Sequence, residues 1–217
     1  MNTFKTTSLA DQVFERLEND IIMGVYSRGE ILTELKLVEQ LGVSRTPIRE
    51  ALRRLEQERL IADSGKGSIV LGISEEDLLD IMDIRIYVEG LASYYATGNA
   101  TPEDLKELAH IMELQQFYCS KQDSEHLRQM DDAFHNYICQ ISRRSVIRDT
   151  LTPLHRKTKR YRKASIQDEN RTKLMLEEHM AIFEAIAASD ARKAQQLTMQ
   201  HVEKAKDNMI KRLNNNG

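Results

Sequence analysis

Residues 41–60 read LGVSRTPIREALRRLEQERL, and two patterns run through them at once. Ile48, Ala51, Leu52 and Leu55 fall at i, i+3, i+4 and i+7, the stripe with which a helix faces a core. Arg45, Arg49 and Arg53 recur every four residues, off that stripe. The helix is expected to start at Ser44 or Arg45, to carry Pro47 in its first turn, where a missing N–H costs little, and to end near Arg59. A reading helix in the major groove of DNA needs this division: one face packed, and donors to phosphates and base edges at the N-terminal end of the other. Ser44 and Thr46 add hydroxyls there, and first-turn N–H groups attract phosphate. A surface helix laced with Arg and Glu has the same pattern, so the neighbouring segments decide.

Upstream, Ser8 with Asp11 three residues on signals a helix start, and Leu9, Val13, Leu17 and Ile21 form one apolar stripe ending before Gly24. A short helix is expected over about 35–41, with Gly42 where a helix stops. Downstream, LIADSGKGSIVLG (60–72) places two short apolar and β-branched runs around a Gly-containing turn, a hairpin. Helix, helix, three-residue turn, helix and hairpin describe a winged helix-turn-helix.

Residues 9–71 accordingly resemble the DNA-binding domain of the GntR family of bacterial transcription regulators. The likeness is carried by ELKLVEQLG (34–42), VSRTPIREALRRLE (43–56) and LIADSGKGSIV (60–70). The resemblance implies that Arg45 and Arg49 contact an operator, that Thr46 assists, and that the wing tip at Ser64, Gly65 and Lys66 enters the adjacent minor groove. Leu35 departs from the family, which often has a DNA-touching Arg at this place. Between residues 41 and 66, six basic side chains face four acidic ones. One copy therefore offers a weak electrostatic footprint, which a homodimer would double.

At 217 residues, with 41% hydrophobic and 30% charged residues, the composition is that of a helix-rich globular protein of two domains, set here at 1–72 and 73–217. No run of 18 apolar residues occurs, and MNTFKTTSLADQVFERL lacks the layout of a secretory signal. A cytoplasmic protein with no membrane partner is expected. Cys119 and Cys139 read as reduced thiols. The net charge of −3 excludes a globally basic coat, not a local basic face.

From Ser74 onward only amphipathic helical patterns appear. The expected spans are 74–97, 102–120, 123–141, 144–165, 170–188 and 190–212, an all-α six-helix bundle, with the tail NNNG fraying. In MDDAFHNYIC, Asp131 precedes His135 by four residues and shares its helix face. His179 lies among Met175, Ile182 and Ile186, and His201 on the last helix. Imidazoles and a carboxylate from three helices suit Zn²⁺, Ni²⁺, Fe²⁺ or Mn²⁺, although spacing alone does not prove that they converge. Each histidine by itself reads sooner as a surface or satisfied core residue than as a ligand.

D-x-x-F-H, then E-H-x-x-I-x-x-A-I, then a His 22 residues after that second His, is similar to the FCD ligand-binding domain of many GntR regulators. Six helices resemble its VanR-type branch. The resemblance implies one divalent ion, zinc first among the candidates, on Asp131, His135, His179 and His201, with Asp132 the competing carboxylate. It also implies that Arg85 faces the pocket as an effector contact, while a salt bridge to Glu89 is the other reading. Cys139 reads as a border of the cavity or a small buried hydrophobe. Residues 143–163 hold nine Lys or Arg against a single Asp149. These are either a solvated face, or in part (Arg148, Arg160 or Arg162) a lining that favours an anion, or a strip beside DNA.

The function expected is a homodimeric regulator that binds operator DNA and responds to a small organic acid at or near the metal. A metal-responsive regulator with the ion as effector is the alternative, and a metalloenzyme with a DNA-binding appendage stands behind it. An enzyme is not expected: no HExxH is present, and no general base stands at motif spacing.

Overall fold

The computed structural model describes residues 8–166 and 169–216, and the chain divides between Glu75 and Glu76 into two compact units. In the first, Ser8 caps α1 (Leu9–Ile22) through a reciprocal capping box with Asp11. The chain then forms β1 (Ile31–Leu32), α2 (Glu34–Leu41), α3 (Arg45–Gln57), β2 (Ile61–Asp63) and β3 (Ser68–Val70). Gly42 stops α2 in the left-handed conformation, φ 66°. Leu17 of α1, Leu37 of α2, and Ile48, Ala51 and Leu55 of α3 are fully buried, and Val13, Phe14, Ile21, Leu60, Ile61 and Val70 complete this core. Removing one such leucine would cost about 2–5 kcal/mol. Leu9, placed on the stripe by periodicity, is 49% exposed at the first position of α1, and Phe14 is buried. Arg54 locks α1 to α3: its guanidinium lies 4.0 Å over the Phe14 ring and bonds Asp11 at 2.6 Å.

The hairpin expected from the sequence is β2–β3, with Asp63 opposite Ser68. The sheet has a third strand, in the order β1-β3-β2, with Ile31 opposite Ile69. Two residues are too few to show a period of two, which is why β1 was not foreseen. Gly67 makes room for it: a Cβ there would stand 2.6 Å from the Leu32 carbonyl oxygen, at φ +144°.

The second unit is helical: α4 (Glu75–Asn99), α5 (Pro102–Ser120), α6 (Ser124–Ile141), α7 (Ser145–Lys157), α8 (Lys159–Ile166), α9 (Glu169–Ala187) and α10 (Ala191–Asn216). Thr101 and Asp104 form a capping box at α5, with Pro102 in the first turn. Gln122, Arg143 and Ser189, all at φ between 54° and 59°, follow the ends of α5, α6 and α9. The single helix expected over 144–165 is divided, so the described residues form seven helical segments rather than six. The break is at Thr158, the C-cap of α7, whose buried Oγ1 accepts from Arg85 Nη1 at 3.1 Å and stands 3.2 Å from the carbonyls of Leu154 and His155. α10 continues to Asn216, and Gly217 lies outside the described residues. The core is built from Ala92, Ala96, Leu108, Met112, Phe134, Ile138, Ile141, Leu151, Ile182, Ile186 and Ala194. Among the described residues no helix is long and apolar enough to cross a membrane.

Candidate metal centre and nucleic-acid interface

In the second unit, α6 carries Asp131 and His135 one turn apart, α9 carries His179 and α10 carries His201, all four buried. Helical period puts the first two on one face, and the packing of three helices closes the set. One nitrogen from each imidazole lies within 4.8 Å of the others. The Nε2 atoms of His179 and His201 are 3.3 Å apart. Asp131 Oδ1 stands 3.8 Å from Nε2 of both His135 and His179, so the carboxylate borders the cluster on the side of two of its three imidazoles. Asp132, the competing carboxylate, is turned away to Arg162 and Arg128, at 2.8 Å each.

The outer nitrogens decide the tautomers. His135 Nδ1 faces Glu89 Oε2 at 2.8 Å, His179 Nδ1 faces Gln115 Oε1 at 3.0 Å, and His201 Nδ1 faces Glu178 Oε2 at 2.7 Å. Gln115 is oriented by its own donor, Nε2 to the Met130 carbonyl at 3.0 Å. With three acceptors outside, each Nδ1 carries a hydrogen, and the Nε2 lone pairs point inward at one another. Such lone pairs require a proton or a cation between them. Burial holds His135 and His179 well below the ordinary histidine range, so both are neutral imidazoles rather than imidazolium ions. Three inward Nε2 atoms, a carboxylate and outer acceptors fixing each ring are a donor set that fits a borderline divalent ion.

Sequence reasoning did not assign Glu89, Gln115 and Glu178 to the site. Glu178 precedes a histidine directly, which was a usable signal, whereas Gln115 offered none. Glu89 also accepts from Arg85 Nε at 2.6 Å and faces His155 Nε2 at 3.0 Å. Burial would raise this carboxyl, but Arg85, His155 and His135 hold it well below the usual range. His155 is therefore a buried partner of the network and not an independent surface histidine.

Beside the cluster lies a cavity of about 60 Å³, lined in part by Arg85, Asp131, His135, Arg162 and His201. Arg85 is on its wall, but its Nε goes to Glu89 and its Nη1 to Thr158 Oγ1 at 3.1 Å. Arg162 is the member of the basic stretch that turns inward. Its side chain is 10% exposed, and Nη1 bonds Asp132 at 2.8 Å and stands 3.3 Å from Asp131. Its buried Nη2 has no hydrogen-bond partner among the described residues. Arg148 and Arg160 are exposed. Cys139 is buried in the core behind His135, and burial pushes its thiol up to about 12.

In the first unit, Ser44, Arg45, Thr46, Arg49 and Arg53 are all exposed on α3, opposite the buried Ile48, Ala51 and Leu55. Ser44 caps by backbone position alone, which leaves its hydroxyl without a capping bond. Arg49 is engaged within the unit: its Nε donates to both oxygens of Glu34, at 2.8 and 2.9 Å. Gly65 and Lys66 are exposed at the wing tip, where the Gly65 N–H donates to Asp63 Oδ1 at 2.8 Å and Gly65 adopts φ +73°. Leu35, where the family often carries an Arg, is 58% exposed.

Residues 9–70 match the family described as bacterial regulatory proteins, gntR family, and residues 80–204 match the FCD domain. The uncharacterized HTH-type transcriptional regulator YdhC of Bacillus subtilis is 28% identical over 200 residues, spanning 91% of this chain and 89% of that protein. The gluconate operon transcriptional repressor of Bacillus licheniformis is 33% identical over 128 residues, 58% of this chain and 52% of that protein. In fold, the chain is similar to the solved structure of Escherichia coli McbR/YncC, with a TM-score of 0.80 at 24% identity, covering 96% of this chain and 100% of that one. These families and relatives are transcription regulators, not enzymes. The chain belongs to the GntR family of bacterial transcription regulators, as a member that carries an FCD domain.

Proposed function

We propose that this regulator is a homodimer whose affinity for operator DNA is set by a small organic acid bound at a divalent ion in the FCD domain. Asp131, His135, His179 and His201 would hold the ion, with zinc first among the candidates. The observation that carries this reading is the set of three buried imidazoles whose outer nitrogens are anchored by Glu89, Gln115 and Glu178 and whose inner nitrogens face one another. An ion held by four protein ligands with positions to spare would supply an electrophilic seat for a carboxylate oxygen. Arg162 supports an anionic effector, because it lines the same cavity and its buried Nη2 has no hydrogen-bond partner among the described residues. Gluconate, for which the Bacillus licheniformis relative is named, is an acid of this kind. Arg85 would act mainly by fixing Glu89. Assignment to the VanR-type branch rests on counting α7 and α8 as one interrupted helix.

Arg45, Arg49, Arg53, Ser44 and Thr46 on α3, with Gly65 and Lys66 on the wing, would meet the operator. An acid that binds more tightly in one arrangement of the protein shifts operator affinity by that difference and by no other means.

Native mass spectrometry and operator titration test this together. The purified protein should carry one divalent ion per chain. His135→Ala combined with His179→Ala should lose the ion and the response to acids while retaining operator binding. Stoichiometric metal in the double variant would refute the site. A response to metal with no organic acid present would make the ion itself the effector.

A further inference from the structure

α4 shows two unlike faces. One is buried against the bundle through Leu78, Met82, Arg85, Glu89, Ala92 and Ala96. The other exposes Ile84, Tyr87, Leu91 and Tyr94, at 44%, 64%, 40% and 39%. Their spacing of three, four and three residues is that of a coiled-coil seam, with Ile84 and Leu91 at a positions and Tyr87 and Tyr94 at d positions. Large side chains lined up in this way on one helix mark a contact surface rather than scattered surface apolarity.

We infer that this face of α4 packs against the same face of a second copy, antiparallel, about a two-fold axis level with Glu89. The inference rests on the homodimer reading and names its surface. Three features of the helix select this occupant and orientation. First, the stripe is palindromic in kind: with the helices antiparallel and centred at residue 89, Ile84 meets the partner's Tyr94 and Tyr87 meets the partner's Leu91. Every layer then opposes an aliphatic group to a tyrosine ring, and each layer pairs an a with a d position. Second, the exposed side of the helix's N-terminal half is acidic, with Glu76 and Asp80, and with Asp83, which is already paired with Lys206. A parallel pair would set these carboxylates side by side, whereas the antiparallel pair carries them to the partner's C-terminal half. Third, a cation waits at that end: exposed Arg144 lies 4.2 Å over the Tyr95 ring, next to Tyr94. The two-fold axis makes this complementarity occur twice, as an isologous interface requires.

The full-length protein should sediment as a dimer at micromolar concentration. Leu91→Glu should sediment as a monomer with metal uptake and helix content unchanged. Should that variant fail to fold, Asp80→Arg serves instead: it should weaken dimerisation at least tenfold, and adding Arg144→Asp should restore it. Orientation is read by cross-linking. Ile84→Cys mixed with Tyr94→Cys should give an oxidised dimer, while Ile84→Cys alone should not, because two copies of residue 84 would lie roughly 15 Å apart along the axis. Efficient cross-linking of Ile84→Cys with itself overturns the antiparallel arrangement. Dimers that survive Leu91→Glu and Asp80→Arg overturn the surface and leave the homodimer standing, whereas a monomeric wild type removes both.

Discussion

Each imidazole in the candidate site does two jobs at once, and its two nitrogens divide them. The outer one donates to Glu89, Gln115 or Glu178; the inner one keeps a lone pair turned toward its neighbours. Burial depresses His135 and His179 from the ordinary value of 6.5. The sign of the consequence follows. Below that value the unfolded chain takes up protons that the folded site refuses, so stability is complete above it and is lost as pH falls toward the folded-state values. The metal-free protein should therefore show a urea midpoint that declines between about pH 6.5 and 5, with a shallower decline in His179→Gln. A midpoint that rose on acidification would contradict neutral, buried histidines. Glu178 behaves consistently: burial would raise it, but the hydrogen bond from His201 and the nearby Arg171 lower it.

At the level of the element, α3 and the wing make different demands on DNA. Arg45 is exposed at the first position of α3, where base edges would be read, and Lys66 sits at the tip of the turn between β2 and β3. Arg45→Ala should cost about 1–3 kcal/mol for the operator and relax its sequence preference. Lys66→Ala should weaken binding to every sequence and reduce the salt dependence by about one ion. Titration of an operator and a scrambled duplex at several salt concentrations separates the two, and equal losses on both duplexes for Arg45→Ala would remove it from the reading set. Arg49 reaches DNA only by leaving or sharing Glu34, so its truncation should cost less than that of Arg45.

For the whole molecule the questions are symmetry and coupling. A two-fold dimer places two reading helices on a pseudo-palindromic site with half-sites about one helical turn apart. Footprinting should find protection on both half-sites, and inserting about five base pairs between them, half a turn, should abolish tight binding. Unchanged affinity for that spacing would show that each copy binds alone.

How much of this was legible in the chain depends on the distance over which each feature is decided. The capping boxes at Ser8 and Thr101, the stop at Gly42 and the division of α3 into apolar and arginine faces were readable, because hydrogen bonds and side-chain directions within one or two turns settle them. The same local pattern singled out Asp131 and His135 as a pair. What lies further apart was not readable from period. β1 lies against β3 where Gly67 leaves room for it, and the helices part at Thr158, whose hydroxyl meets Arg85 from a helix distant in sequence. His135, His179 and His201 stand tens of residues apart, and motif spacing could place them on helices but not within 4.8 Å of one another. Gln115 carries no sequence signal, and the basic stretch offered Arg162 only as one of three candidates beside Arg148 and Arg160. The roles of Gln115 and Arg162 arise from which neighbour each helix presents after packing, and a distance of three ångströms between side chains on different helices is decided by the crossing of those helices and not by either sequence alone.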